Sequence, residues 1–406
     1  MDFLTSSDFW FLSVSSLLKT GFLIFLVVLP MVSYTVYAER RVSALIQDRV
    51  GPNRTGFPTS LIPGVSKDFS PFLGGLGQPV ADAVKFLLKE DFVPGHVNKL
   101  YFWLAPCLAM MPAIVTLAAI PFGSSLNLDP LLGPIFRFVG SDFTRGSIPM
   151  VVADINVGVL FMFAISSVSV YGIVLAGWSS NSKYPFLGGI RSTSQMISYE
   201  LCMGLSAVPV LLIAGSTGLS SIVNYQVHNG WLLVPFTAGW PGWSAIILWI
   251  PIVIAFVTFT ISMFAETNRL PFDLPESETE LVAGYHTEYS SMKFALFFLG
   301  EYTAMIAGSA LIVVLFLGGW HLPFIPDGAG QGGLTLLHNI PSWIWGLANI
   351  TAFFAKVAAL LLVFIWVRWT LPRFRYDQLM KLGWLYLFEI ALVNIFLTAG
   401  ILAFTK

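Results

Sequence analysis

Seven of the chain's 22 carboxylates fall between residues 266 and 301: Glu266, Asp273, Glu276, Glu278, Glu280, Glu288 and Glu301. Only Arg269 and Lys293 oppose them in that window. Glu200 and Glu301 each lie inside a long apolar run. Burial and neighbouring like charge both favour the neutral form of a carboxyl, which makes it a reversible proton carrier. A carboxylate inside a bilayer is costly and by default marks an ion or proton path. Plainer roles compete. The loop acids also suit a solvated polar loop. Asp273 with Glu276, and Ser277 with Glu280, fit capping boxes with Pro275 in the first turn. Glu200 and Glu301 also suit interhelical locks, hydrogen-bonded to Tyr199 or Tyr302. The apolar residues between the loop acids (Leu270, Phe272, Leu274, Leu281, Val282, Tyr285, Tyr289) favour a loop pressed between packed surfaces. Asp154, Lys356 and Glu389 are further ionisable groups in or near apolar runs.

The elements that must position these groups follow from composition. The chain has 406 residues, 56% hydrophobic and 11% charged. An ordinary soluble domain carries ~25% charge, so the chain reads as an all-α polytopic membrane protein. Disorder and a secreted disulfide scaffold are excluded, and a net charge of −1 argues against nucleic acid. Crossing ~30 Å of hydrocarbon takes about 20 residues. Eight runs qualify, near 10–37, 101–122, 151–177, 192–214, 243–264, 294–318, 343–369 and 380–404. They form a single integral membrane domain over 1–406. The stretch Gln78 to Asp91 is too short to span. It places Val80, Val84, Leu87 and Leu88 on one helical face, which predicts an amphipathic helix at the interface. At 1.5 Å per residue, Glu200 and Glu301 sit ~12 Å below the boundary nearest the acidic loop.

Alternate connections differ in charge. The set 38–100, 178–191, 265–293 and 370–381, with Arg368, holds 16 of the 21 basic residues, and the opposite set holds three. The first set therefore faces the cytoplasm, and both termini face the periplasm or its equivalent.

Other chemistry is missing from the sequence. Cys107 and Cys202 form no C-x-x-C pair, none of the five histidines lies in mid-span, and no phosphate-binding glycine motif is present. The reading is of a chain with no metal site, no cofactor and no catalytic residue of its own, whose redox chemistry comes from partners. No internal repeat is evident, against the pattern of many secondary transporters. A proton-coupled transporter using Glu200 and Glu301 is nevertheless the rival reading.

Several segments carry a resemblance. The run Glu39-Arg40-Arg41-Val42-Ser43-Ala44-Leu45-Ile46-Gln47-Asp48-Arg49-Val50-Gly51-Pro52-Asn53-Arg54 closely resembles the first cytoplasmic loop of a membrane-subunit family (the H subunits) of proton-pumping NADH:quinone oxidoreductase, respiratory complex I. So does Ala265-Glu266-Thr267-Asn268-Arg269-Leu270-Pro271-Phe272-Asp273-Leu274-Pro275-Glu276, with Glu280–Tyr285, Glu288–Ser290 and Glu301-Tyr302 after it. Gln78–Asp82, Gly177–Asn181, Ile197–Glu200 and Leu371–Gln378 match as well. The resemblance covers about residues 10 to 400. It implies a subunit joining the membrane arm to the peripheral arm, in a bacterial cytoplasmic or mitochondrial inner membrane. Quinone is then the substrate. Flavin and iron–sulfur clusters are expected on partner subunits, and partners include peripheral quinone-site and neighbouring membrane-arm subunits. Carried over by motif, Glu39, Arg40, Arg49, Asp82, Lys85, Arg269, Phe272 and Phe298 lie along or near the quinone chamber. Glu200, Glu266, Asp273, Glu276, Glu278, Glu280, Glu288 and Glu301 form a proton path beneath it. A structural anchor, as in related membrane-bound hydrogenases, is a further alternative. Two features depart from the family: a longer stretch at 57–77, and Glu389 in the last span where an uncharged residue is expected.

The charge asymmetry makes a direct prediction. Topology reporters fused at Lys406 and within 371–377 should give opposite signals; a cytoplasmic signal from both would overturn the orientation.

Overall fold

The computed structural model describes residues 16–53, 55, 75–124, 149–235, 243–274, 281–323 and 342–405. Eight of its helices are long and apolar enough to cross a membrane. In chain order, the first is α1 (Ser16–Ile46). The short α2 (Gln78–Leu88) follows, then α3 (Lys99–Ala118), α4 (Gly158–Ser179) and α5 (Lys183–Ala214). A second short helix, α6 (Leu219–Asn229), precedes α7 (Trp243–Glu266), α8 (Ser291–Phe316), α9 (Ser342–Thr370) and α10 (Tyr376–Phe404). No strand occurs among the described residues.

The eight spans match the apolar runs, with two extensions and one late start: α4 begins at Gly158 and not at the expected 151, which leaves Asp154 in the preceding loop, where it accepts from Ser220. Residues 38–46, which the sequence assigns to a loop, continue α1, so Glu39 and Arg40 are helical. α5 begins at Lys183, nine residues before the expected start at 192. Lys183, Arg191, Gly188 and Gly189 dilute the hydropathy there. Close packing replaces it: a Cβ on Gly188 would lie 2.8 Å from Gly284 Cα, and one on Gly177 would lie 2.6 Å from the Pro185 carbonyl. α6 has no counterpart among the elements expected from sequence. Its Gln226 side chain donates to the carbonyls of Val314 and Leu315 and accepts from the Gly318 amide, closing the far end of α8.

α8 is the most buried span, and α3 and α9 pack against it most extensively. Helices in lipid gain nothing from apolar contact alone, so small residues that admit close backbones decide where they meet. At Ala109 of α3 two helices converge. A Cβ on Gly172 of α4 would lie only 2.5 Å from the Ala109 nitrogen, and one on Gly300 of α8 would lie 3.2 Å from the Ala109 carbonyl oxygen. α7 and α9 are joined by stacked Phe264 and Phe364, with ring centres 3.8 Å apart.

α2 has the expected amphipathic character. Val80, Val84, Leu87 and Leu88 are all exposed on this chain, as an interfacial helix requires. Its C-terminal carbonyls, Phe86 and Lys89, both accept from the Ser291 hydroxyl at the start of α8. Lys293 pairs with Asp91 at 2.9 Å and lies 4.2 Å from the Trp103 ring centre. The interfacial helix is thus latched to the base of the central span.

Gly172→Val should force α3 and α4 apart and cost roughly 1–3 kcal/mol. Thermal unfolding of the purified complex checks it, and an unchanged midpoint would mean that the contact is not tight.

Candidate functional site

Three helices and a turn converge on one charged cluster. α1 brings Glu39, α8 brings Glu301 and Tyr302, α9 brings Arg368, and the turn after α7 brings Arg269. The Arg269 guanidinium sits between two acids. Its Nη1 is 3.4 Å from Glu39, and its Nε pairs with Glu301. Arg368 pairs with the other oxygen of Glu39. The Tyr302 hydroxyl donates to Glu39 at 2.6 Å, and the Arg269 guanidinium lies 4.1 Å over the Tyr302 ring. Glu39 and Arg269 are both buried. Burial alone would pull down the proton affinity of Arg269. The carboxylates of Glu301 and Glu39, with Tyr302, more than reverse that and hold it above the ordinary arginine value, so it stays a cation.

The turn carrying Arg269 is fixed from beneath. The Gln195 side-chain amide donates to the carbonyls of Ala265 and Phe272 at 2.7 and 2.8 Å. Phe272 packs between Tyr199 and Phe374, with ring centres 5.7 and 5.4 Å away. The next residue, Asp273, pairs with Arg373 at 3.1 Å.

A second set of acids lies beside the first. Glu200 on α5 accepts from Ser167 on α4, and Glu266 at the end of α7 accepts from Ser166. The two carboxylates are close enough to interact with each other. A partly open cavity of about 90 Å³ is lined mostly by apolar side chains, Met162, Met203 and Leu311 among them, with Ser166, Ser169, Glu266, Asn268 and Glu301 also on its wall. A water needs roughly 10–15 Å³ by this measure and polar partners, so the space suits several waters. Polar side chains at its rim therefore reach from Glu301 to Glu266, and Glu266 in turn faces Glu200.

The remaining sequence-derived residues are more peripheral. Arg40 pairs with Asp82 of α2 at 2.8 Å, and Gln78 donates to the same carboxylate. Arg49 and Lys85 are exposed. Phe298 is partly buried, and its ring stacks against His286 with centres 5.6 Å apart. Glu288 lies 3.9 Å from His96. Glu276, Glu278, Glu280 and both suggested capping boxes involve residues outside the described ones.

Sequence reasoning assigns Glu39 and Arg269 to one set and Glu301 to another; the structure brings all three together. The suggested tyrosine locks are placed differently. Tyr199 donates to the Leu379 carbonyl and Tyr302 to Glu39, while Ser167 serves Glu200. Arg368, Ser166, Ser167 and Gln195 are site residues that the sequence does not single out. Arg368 enters there only as a topology charge, although a signal exists, since an arginine at a span end can also reach inward. The serines give none. Among the described residues, no group of three or more His, Cys, Asp or Glu is arranged to hold a metal ion.

If charge balance holds the cluster, Arg269→Met leaves Glu39 facing Glu301 and should cost ~3–5 kcal/mol. Adding Glu301→Gln should recover part of the loss. Thermal unfolding of the assembled complex reads both, and equal losses would assign the effect to packing.

Residues 19–399 match a family model described as NADH dehydrogenase. An H subunit of NADH-quinone oxidoreductase from Geobacter metallireducens is 47% identical over 380 residues, covering 94% of each chain. The like-named protein of Cytophaga hutchinsonii is 42% identical, covering 93% of this chain and 94% of its own. The H subunit of the Rhodospirillum rubrum NADH-quinone oxidoreductase is 44% identical, covering 93% of this chain and 91% of its own.

Proposed function

The chain belongs to the family of membrane H subunits of NADH-quinone oxidoreductase, and from that premise we propose that it walls a quinone chamber and couples quinone reduction to proton movement. The observation that carries this reading is the Arg269 cluster. It joins Glu39 and Glu301, groups from the chamber side and the acid path, through one guanidinium.

A quinone has a polar head and a long apolar tail. Its chamber must open to lipid and still bring the head near a soluble electron donor. α2 supports such a mouth. Its outer face is apolar, while Asp82 on its other side meets Arg40 of α1. The head then approaches the side of the membrane bearing Arg40, Arg269 and Arg373, where peripheral subunits with flavin and iron–sulfur clusters dock. Both termini lie on the opposite side.

Reduction to quinol changes charge and takes up protons at the chamber floor. The Arg269 cluster holds two acids against two guanidiniums and is balanced as it stands. A proton or charge arriving at Glu39 weakens its hold on Arg269, and Glu301 then carries more of the guanidinium's attraction. The effect continues across the cavity to Glu266 and Glu200. There, among the described residues, serine hydroxyls and no guanidinium answer the carboxylates, and we take this pair as the next relay for the change.

Glu200→Gln or Glu301→Gln keeps the size and much of the hydrogen bonding but removes titration. Either change should lower quinone reductase activity roughly tenfold, about 1.4 kcal/mol of barrier. Proton pumping should fall with it, while the complex assembles and still passes electrons to a soluble artificial acceptor. Normal turnover and normal proton stoichiometry in both variants would reduce these acids to interhelical locks.

A further inference from the structure

α10 has two opposite faces. Gly383, Leu387, Ala391, Asn394 and Thr398 are buried. Asn394 is tied to the Pro251 carbonyl of α7, and Cys202 of α5 lies against the Gly383 carbonyl. The other face carries Leu385, Glu389, Val393 and Phe396 at spacings of three and four, and all four are exposed. Glu389 is the one ionisable residue on it. It lies seven residues beyond Leu382, where the apolar stretch begins, and fifteen before Phe404. At 1.5 Å per residue that is ~10 Å and ~22 Å from the two ends, well inside the hydrocarbon.

A carboxyl there is poorly placed against lipid. As an anion it is costly, and as a neutral acid it still leaves a donor and an acceptor unmet. Long lysine or arginine stems escape by snorkelling, but a glutamate cannot cover ~10 Å. Among the described residues Glu389 has no hydrogen bond or ion pair, because α10 turns its opposite face to α5 and α7.

We propose that this face of α10 is an interface for a transmembrane helix of another subunit of the oxidoreductase, and that the partner helix sets a lysine, arginine or histidine side chain against Glu389. Leu385, Val393 and Phe396 pack around the pair and exclude lipid from it. Contact requires only that the chain is one subunit of a larger membrane complex. It is independent of the quinone reading, since no redox or proton step passes through it.

The test uses the assembled complex with a benzophenone amino acid in place of Val393. Irradiation should yield a photoproduct joining this chain to a transmembrane peptide of a different subunit, with a cationic residue level with Glu389. Adducts to lipid or detergent alone, to a second copy of this chain, or to a helix lacking such a residue overturn the proposal. In parallel, Glu389→Gln should speed loss of that subunit from the detergent-solubilised complex roughly tenfold or more. Unchanged retention also overturns it. Turnover is not the readout, so either failure leaves the quinone reading standing.

Discussion

A guanidinium buried at the base of the central span sets the terms for much of this molecule. Arg269 cannot shed its charge, so acids must come to it. Glu39 and Glu301 supply them from helices 262 positions apart in sequence, and Arg368 restores the balance on the far side of Glu39. Two acids and two bases leave the cluster neutral overall. That neutrality has a structural cost, since it fixes the relative heights of α1, α8, α9 and the turn after α7. A slide of one helix by a single turn, ~5.4 Å, would break at least one pair. The stacked Phe264 and Phe364, one turn from Arg368, and the Gln195 amide beneath the turn hold those heights.

The contrast with the neighbouring acids follows from the same electrostatics. In a medium of low dielectric, a carboxylate with an arginine and a carboxylate with a serine are different chemical species. Glu39 and Glu301 meet guanidiniums, and Glu200 and Glu266 meet serine hydroxyls. A cavity bordered by both Glu266 and Glu301 lies between the two sets. In the proposed function this ordering matters: the arginine-bound acids face the substrate, and the serine-bound pair lies further along.

The spans are legible in the sequence because hydrocarbon imposes one length and one polarity on every crossing segment. Legibility fails where packing replaces hydropathy. α5 starts early because Gly177, Gly188 and Gly284 let backbones touch, and no hydropathy window registers that. α6 is invisible for a similar reason, since its role is carried by the amide of Gln226 gripping carbonyls of α8. At the site, residue types are readable and pairings are not. The acids stand out against an apolar background. That Glu39 shares a guanidinium with Glu301 depends on how distant helices dock, which no local pattern encodes. Ser167 is hidden by its context: a serine in an apolar helix commonly bonds its own backbone, as Ser169 does here.

Burial within the chain shows why the acid-bearing helix is the central one. α1, α4, α9 and α10 each present apolar side chains outward, while α8 is enclosed along most of its length. Glu301 is therefore insulated from lipid by its own neighbours. Insulation preserves the low dielectric that makes its pairing with Arg269 strong. The cavity beside it is lined mainly by apolar side chains such as Met162, Met203 and Leu311, so the polar groups of Ser166, Ser169, Glu266 and Glu301 meet in a largely apolar space. There each polar contact counts for more than it would in water, because little else answers the charge.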